Sequence, residues 1–335
     1  MKKSLVALAV LAASGASFAQ SSVTLYGIAD IWLGSMKDSQ VSANPDSVTR
    51  LDSGGVSTSR WGMKGSEDLG GGLKAIFNLE ASMDLDTGAS AGFGRLSYVG
   101  LEGGFGTVTF GKTWTATDDV MGVSNSGFDS KLSATNGVWA ANSVYSANPG
   151  NTIKYASPNM SGFNFAASYG LDEAANVNND MMDFSVSYAG GPLTANFAYQ
   201  IQKSATASDL KITTVNGTYD FTVAKLLASY AQTKMGDEDI KDYQIGVDVP
   251  MSAALTLSAG YAYSDRNAAA VAGLASGTGV VYAGSENTGY SVAASYSLSK
   301  RTSIYGGISH ASGEDAAGAD VSKRQLYAAG VRHTF

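Results

Sequence analysis

The octapeptide GTVTFGKT, Gly106 to Thr113, matches the GxxxxGK[ST] spacing with which a glycine-rich loop cradles nucleotide phosphates. That chemistry needs a strand before the first glycine, a loop free to curl and a helix after the threonine. Here Thr107 to Phe110 alternates like a strand, Gly103 to Gly106 is the turn that enters it, and no helical period follows. The nucleotide reading is set aside. A Ser/His/Asp hydrolase would have to use His310 or His333, the two histidines of the chain. His310 opens a loop, and His333 keeps phase with Tyr327, Ala329, Val331 and Phe335; neither is placed beside an orienting carboxylate. The sequon Asn216-Gly217-Thr218 falls at a strand end and reads as a turn. Asp237-Glu238-Asp239 reads as a solvated loop tip before it reads as a divalent-ion site. With no cysteine available for thiolate ligands, the residues assign no catalytic group, no metal and no cofactor. The chain is not read as an enzyme.

Charges placed by strand phase say more. Arg60, Gly62 and Lys64 alternate with Trp61 and Met63, so if the apolar pair faces outward the charges face inward. The same parity puts Lys74, Asn78 and Glu80 inside the next strand, Arg95 and Ser97 inside the one after, and Lys154 inside a later one. Asp30 shares the polar phase of Thr24, Tyr26 and Ile28. Any one of these could simply solvate a wall, but they cluster on strands flanking one long connection, Thr113 to Gly150. That segment carries Asp118, Asp119 and Asp129 beside Trp114, Phe128 and Trp139, so it can pack on a wall and still present charge to water. A structureless stretch of this length is unusual unless it is functional. The expected site is therefore a passage between a basic wall of Arg60, Lys64, Arg95 and Lys154 and an acidic set of Asp30, Glu80, Asp118, Asp119 and Asp129.

The elements that must position these residues show period two almost throughout. Phe163, Phe165, Ala167 and Tyr169 oppose Asn164, Ala166 and Ser168; Tyr243, Ile245, Val247 and Val249 oppose Gln244, Gly246 and Asp248. Short connections at Leu69 to Gly72, Gly103 to Gly106, Ser157 to Gly162, Gly190 to Pro192, near Asp220, at Pro250 to Ala253 and at Ser299 to Thr302 alternate with longer ones. The longer set is Ser35 to Gly55, Asp84 to Gly92, the central loop, Gly170 to Asp180, Lys203 to Asp209, Met235 to Lys241, Asp265 to Glu286 and Ala311 to Asp320. Seven short and eight long connections separate sixteen strands, and an even count with this alternation is the layout of a transmembrane β-barrel. A soluble sandwich or adhesin would keep its polar face outward and need not sort its loops by length. About sixteen strands enclose a lumen wide enough for water, so the fold expected is all-β: a sixteen-stranded antiparallel barrel with its long third loop folded into the lumen.

Residues 1–19 have the basic start, apolar run and Ser17-Phe18-Ala19 ending of a secretory signal, leaving residues 20–335 as a single barrel domain. Removing Lys2 and Lys3 takes the formal charge from −7 to −9, which speaks against nucleic acid as a partner.

The segments SVTLYGIADIWLGS (Ser22 to Ser35), SRWGMKGSEDLGGGLKAIFNLEA (Ser59 to Ala81), GRLSYVGLEGGFGTVTFGKT (Gly94 to Thr113) and VRHTF (Val331 to Phe335) resemble the general diffusion porins of Gram-negative outer membranes, in their β-proteobacterial branch. The resemblance implies a homotrimer in the outer membrane, with lipid and lipopolysaccharide around it and small hydrophilic solutes and ions passing through. It implies that Phe335 is an assembly signal, and that Arg60 and Arg95 match two of three constriction cations, with Lys154 at the third where arginine is frequent. Lysine keeps the charge and loses the planar fork. The function expected is passive, size-limited and weakly charge-selective diffusion with a mild anion preference; a substrate-selective channel and a non-conducting adhesin are the alternatives.

Overall fold

A strand whose successive side chains face lipid and water alternately can cross a bilayer only if every backbone group is paired with a neighbouring strand. The computed structural model, which describes residues 22–39, 46–174, 178–267 and 285–335, meets that condition by closing a sheet on itself. The leader expected at residues 1–19 and most of the Asp265 to Glu286 connection lie outside the described residues.

In chain order the strands are β1 (Ser22–Asp38), β2 (Val48–Ser53), β3 (Arg60–Gly70), β4 (Leu73–Ser82), β5 (Leu96–Gly103), β6 (Gly106–Lys112), β7 (Thr152–Ala156) and β8 (Phe163–Gly170). They continue as β9 (Met181–Gly190), β10 (Leu193–Gln202), β11 (Leu210–Asp220), β12 (Lys225–Met235), β13 (Glu238–Pro250), β14 (Leu255–Arg266), β15 (Glu286–Ser297), β16 (Thr302–Glu314) and β17 (Asp320–Thr334). All pairs are antiparallel, and β17 closes on β1 with Asp30 opposite Arg332 and Ile28 opposite Thr334. On the other edge of β1, β2 pairs with Ile31 to Met36 and β3 with Ser22 to Ile28. β2 and β3 are thus one barrel strand broken at Gly54 to Ser59, and the 17 segments fill sixteen positions.

The outward phase is apolar: Val23, Leu25, Phe110, Phe165, Ile245, Val292 and Val331 are all exposed. Tyr219, Tyr243, Tyr261, Tyr290 and Tyr327 are exposed on the same face, where their rings suit a belt between lipid and water. No helix among the described residues is long and apolar enough to cross a membrane; the strands do the crossing. Gly106 to Lys112 is β6, so the phosphate-loop spelling is strand, as its alternation predicts.

Three predicted connections are shorter than expected, one of them because β16 runs past Ala311 to Glu314. β1 runs on to Asp38 and β2 resumes at Val48; beyond the hydrophobic belt both faces meet water, so pairing continues without apolar alternation to mark it. Met235 and Glu238 pair directly across Gly236 and Asp237, where a charge-rich stretch conceals a tight hairpin.

The chain end completes the seam. Gly27 and Phe335 exchange both backbone hydrogen bonds at 3.1 Å, and the Phe335 ring lies where any Cβ on residue 27 would stand.

Candidate functional site

The connection between β6 and β7 folds into the barrel and is held there by side chains that point inward from the wall. It follows the wall from β8 to β17, then doubles back. Ser168 Oγ accepts from the Ala116 N–H at 2.8 Å and Asp183 Oδ2 from the Thr117 N–H at 2.7 Å. Asn216 donates to the Val120 carbonyl at 2.7 Å and Gln244 to that of Ser124 at 2.8 Å, while Ser258 Oγ accepts from the Gly127 N–H at 2.8 Å. Arg324 reaches the Lys131 carbonyl at 3.1 Å. On the return path Asp242 accepts from the N–H groups of Ala140 and Ala141, and Gln200 Oε1 from that of Ser146 at 2.7 Å. Asn216 is therefore a buried anchor within β11, not the turn its sequon suggests.

Apolar packing reinforces these bonds. Met121, Ala134, Val138, Trp139 and Ala141 of the loop pack against Ile212, Ala231, Ala262 and Ala311 of the wall, and Leu132 against Trp32, Ala293, Tyr305 and Leu326. Each large side chain so buried contributes about 1.5–3 kcal/mol. Glycine makes the berth: a Cβ on Gly246 or Gly260 would meet Ser126, and one on Gly289 would meet Ala134 and Val138. Loop and wall here form a small core inside a lumen.

The opposite wall, β3 to β7, meets the loop near its two ends and carries Arg60, Lys64, Glu80 and Lys154. Glu80, 5 % exposed, takes Arg95 Nε at 2.7 Å on one oxygen and Tyr26 hydroxyl at 2.9 Å on the other, with Arg60 Nε at 3.7 Å from the latter. Two guanidinium groups thus share one carboxylate. Arg95 also lies over the Trp114 ring, 5.0 Å from its centroid, and Asn148 at the far end of the loop donates to its carbonyl at 2.7 Å. Both ends of the loop therefore clasp Arg95. Lys154 pairs with Asp119 at 2.6 Å. Lys64, exposed to the lumen nearer the short turns, sits 5.3 Å from the centre of the Tyr26 ring.

On the loop side, Asp118, Asp129, Asn125, Asn142 and Tyr145 line a cavity of about 390 Å³. Asp118 accepts from Tyr145 hydroxyl at 2.9 Å and Asp129 from Asn125 at 2.7 Å. Burial pushes Asp118 up to about 6, against the opposing pull of the Tyr145 hydrogen bond and of Lys154.

Most of the residues singled out by phase converge here, with exceptions. Arg95 does not lie within a strand: it precedes β5, and inside the strand Leu96 and Tyr98 face the lumen while Ser97 shares the phase of outward Val99 and Leu101. Its guanidinium reaches the lumen because residue 95 is free of that alternation. Asp30 is fully buried in the wall, with Oδ1 accepting from Gly55 N–H and Tyr305 hydroxyl and Oδ2 from the N–H groups of Val56 and Ser57. It ties the break in the second barrel strand rather than facing the passage. His310 lies within β16, stacked on Tyr290, and His333 contacts Thr302 on the outside. Asp239, of the acidic run, is engaged by Gln232 and lies 3.8 Å from Lys234; no metal-binding cluster of three or more such residues occurs among the described residues.

A closed barrel with an apolar outer belt, an inserted loop and a charged passage beside it is an outer-membrane channel. Residues 4–316 match the Gram-negative porin family. Outer membrane porin protein 32 of Delftia acidovorans is 35 % identical over 356 residues, covering 99 % of this chain and 95 % of the relative. An outer membrane porin protein of Bordetella pertussis is 28 % identical over 389 residues, with 100 % of both chains covered. Among solved structures, the anion-selective porin from Comamonas acidovorans matches with a TM-score of 0.79 at 29 % identity, covering 94 % of this chain and 100 % of that one. The chain belongs to the Gram-negative porins: it is an integral outer-membrane barrel through which small hydrophilic solutes diffuse passively. Proteins of this family are channels rather than enzymes.

Proposed function

We propose that this porin passes small hydrophilic solutes and ions with a mild preference for anions, set where the β3 to β7 wall faces the inserted loop. The observation that carries this reading is the pairing pattern of the constriction. Lys154 is matched by Asp119, but Arg60 and Arg95 share the single carboxylate of Glu80, leaving positive charge over, and Lys64 adds another cation below. Of the facing acids, burial raises Asp118 to about 6, so it opposes the cations at neutral pH and gives way only as pH falls. Asp30 is buried in the wall and directed at the break in the second barrel strand rather than at the passage. Charges close to a permeating ion dominate distant ones: unit charges about 4 Å apart interact at about 4 kcal/mol at an effective dielectric of 20 and about 1 in bulk water. The net mature charge of −9 inferred from the sequence, spread over loops and vestibules, therefore counts for less. The anion selectivity of the Comamonas porin supports the same sign.

The working unit proposed is a homotrimer inserted among outer-membrane lipid and lipopolysaccharide after loss of residues 1–19, with Phe335 serving assembly. The test is the zero-current potential in a KCl gradient across a planar bilayer. The parent pore is expected to favour chloride, and Arg60→Ser with Arg95→Ser to move the potential towards cations, more at low salt than at 1 M, where the Debye length is about 3 Å. A cation-selective parent unmoved by the double substitution refutes the reading.

A further inference from the structure

Arg332 was not among the residues expected at the constriction, yet the register brings it there. It stands opposite Asp30 on one edge of β1, while Arg60 stands opposite Ile28 on the other. Two strand spacings, about 10 Å, separate the strands that carry them. Leu326, Ala328, Gly330 and Arg332 alternate with the exposed Tyr327, Ala329 and Val331, so Arg332 points into the lumen beside Arg60. The two guanidinium groups are within electrostatic reach of each other.

Its surroundings differ from those of Arg95 and Lys154. Arg95 has Glu80 at 2.7 Å and Lys154 has Asp119 at 2.6 Å. Arg332 makes no ion pair among the described residues; its Nε donates to Ser57 Oγ at 3.0 Å. The carboxylate opposite it in register, Asp30, is occupied by three backbone N–H groups and Tyr305 hydroxyl. One of those N–H groups belongs to Ser57, at 2.8 Å. The break in the second barrel strand is therefore a bracket: Asp30 fixes the backbone of Ser57, and the Ser57 hydroxyl fixes the guanidinium without neutralising it.

We propose that Arg332 is a specificity-determining residue of this pore, an arginine that, like Lys64, has no ion pair among the described residues, and that is held towards the passage by Ser57. This rests on the reading of the pore as anion-preferring. A guanidinium held by a neutral hydroxyl keeps its full field, whereas one that shares a carboxylate contributes a dipole that falls off faster with distance.

The experiment compares zero-current potentials of Arg332→Ser, Arg332→Lys, Arg60→Ser and Arg95→Ser in planar bilayers, using KCl gradients and barrels confirmed as folded by heat-modifiable migration. Arg332→Ser is expected to lower the chloride-to-potassium permeability ratio more than Arg95→Ser, although each removes one charge, and Arg332→Lys to retain most of it. Because residue 332 lies at the closing seam, Ser57→Asp is a second variant that sets a carboxylate against the guanidinium without touching β17. It is expected to lower the ratio as Arg332→Ser does, and it decides the matter if Arg332→Ser does not fold. A shift for Arg60→Ser with none for Arg332→Ser or Ser57→Asp overturns this proposal and leaves the general reading intact. A parent pore that does not prefer chloride removes the basis of both.

Discussion

The two halves of the inner wall use polar side chains in opposite ways. From β8 to β17, apart from the stretch of β17 nearest its end, inward residues such as Ser168, Asn216, Gln244 and Asp242 are spent on the loop backbone and are closed to water. From β3 to β7 they remain available, with Arg60 and Lys154 partly exposed and Lys64 open. A buried amide or carboxylate matched to a fixed backbone is architecture, whereas a cation on a wet surface is a field. The inserted loop creates this asymmetry and leaves the cations along one side of the passage.

The strongest way to break the comparison is to remove the loop-side architecture. Deleting Val123 to Val138 strips out the residues held by Gln244 and Ser258 and should give the largest change, a clear rise in single-channel conductance; unchanged conductance in folded barrels would mean that the loop does not obstruct the passage. Next in size, deleting Phe335 takes away the two hydrogen bonds to Gly27 and the ring over it, and should lower the yield of heat-modifiable oligomer in outer membranes while export continues. Equal yields from deletion and parent would refute it.

Subtler changes sharpen the contrast. Gln244→Ala strands the Ser124 carbonyl and the Ser126 N–H, a loss of roughly 1–3 kcal/mol for a buried unsatisfied group. It should be read as a lower denaturation midpoint with nearly unchanged ion selectivity; a selectivity change as large as that of Arg60→Ser would erase the division of labour. The smallest effect expected is that of pH. Asp118 is raised to about 6 by burial, so its charge is lost as pH falls through that value. Losing a negative charge from the loop side moves selectivity towards anions. The potential should drift that way between pH 7 and pH 5, and Asp118→Asn should abolish the drift; persistence of the full drift in that variant would assign it to another group.

How much of this was legible follows from which faces obey the alternation. The barrel, its strand count and the lumen position of Arg60, Lys64, Glu80 and Lys154 follow from period two, because lipid enforces the apolar phase. Arg332 was equally readable, since Tyr327, Ala329 and Val331 fix the outward phase of its strand, but the signal there was read only for its lipid face. Arg95 was placed inside by the wrong argument, because strand parity does not govern a residue that precedes the strand. The loop berth was hidden: Ile212, Ala231 and Ala262 are apolar residues in the inward phase, and their partners Val138 and Trp139 are distant in sequence. Asp30 misled for the same reason, since only the fold brings Gly55, Val56 and Tyr305 around it.

The pairing of Phe335 with Gly27 also orders the making of the molecule. The partners are separated by nearly the whole mature chain, so the contact with the greatest loop-closure cost is also the one that seals the sheet. Residues 324–334 pair with β1, so a chain without that stretch has two unpaired edges, and hydrocarbon offers no water to satisfy them. Insertion of such a fragment is unfavourable. The hydrogen bonds that close the whole barrel are thus the ones whose absence disfavours a partial pore in lipid.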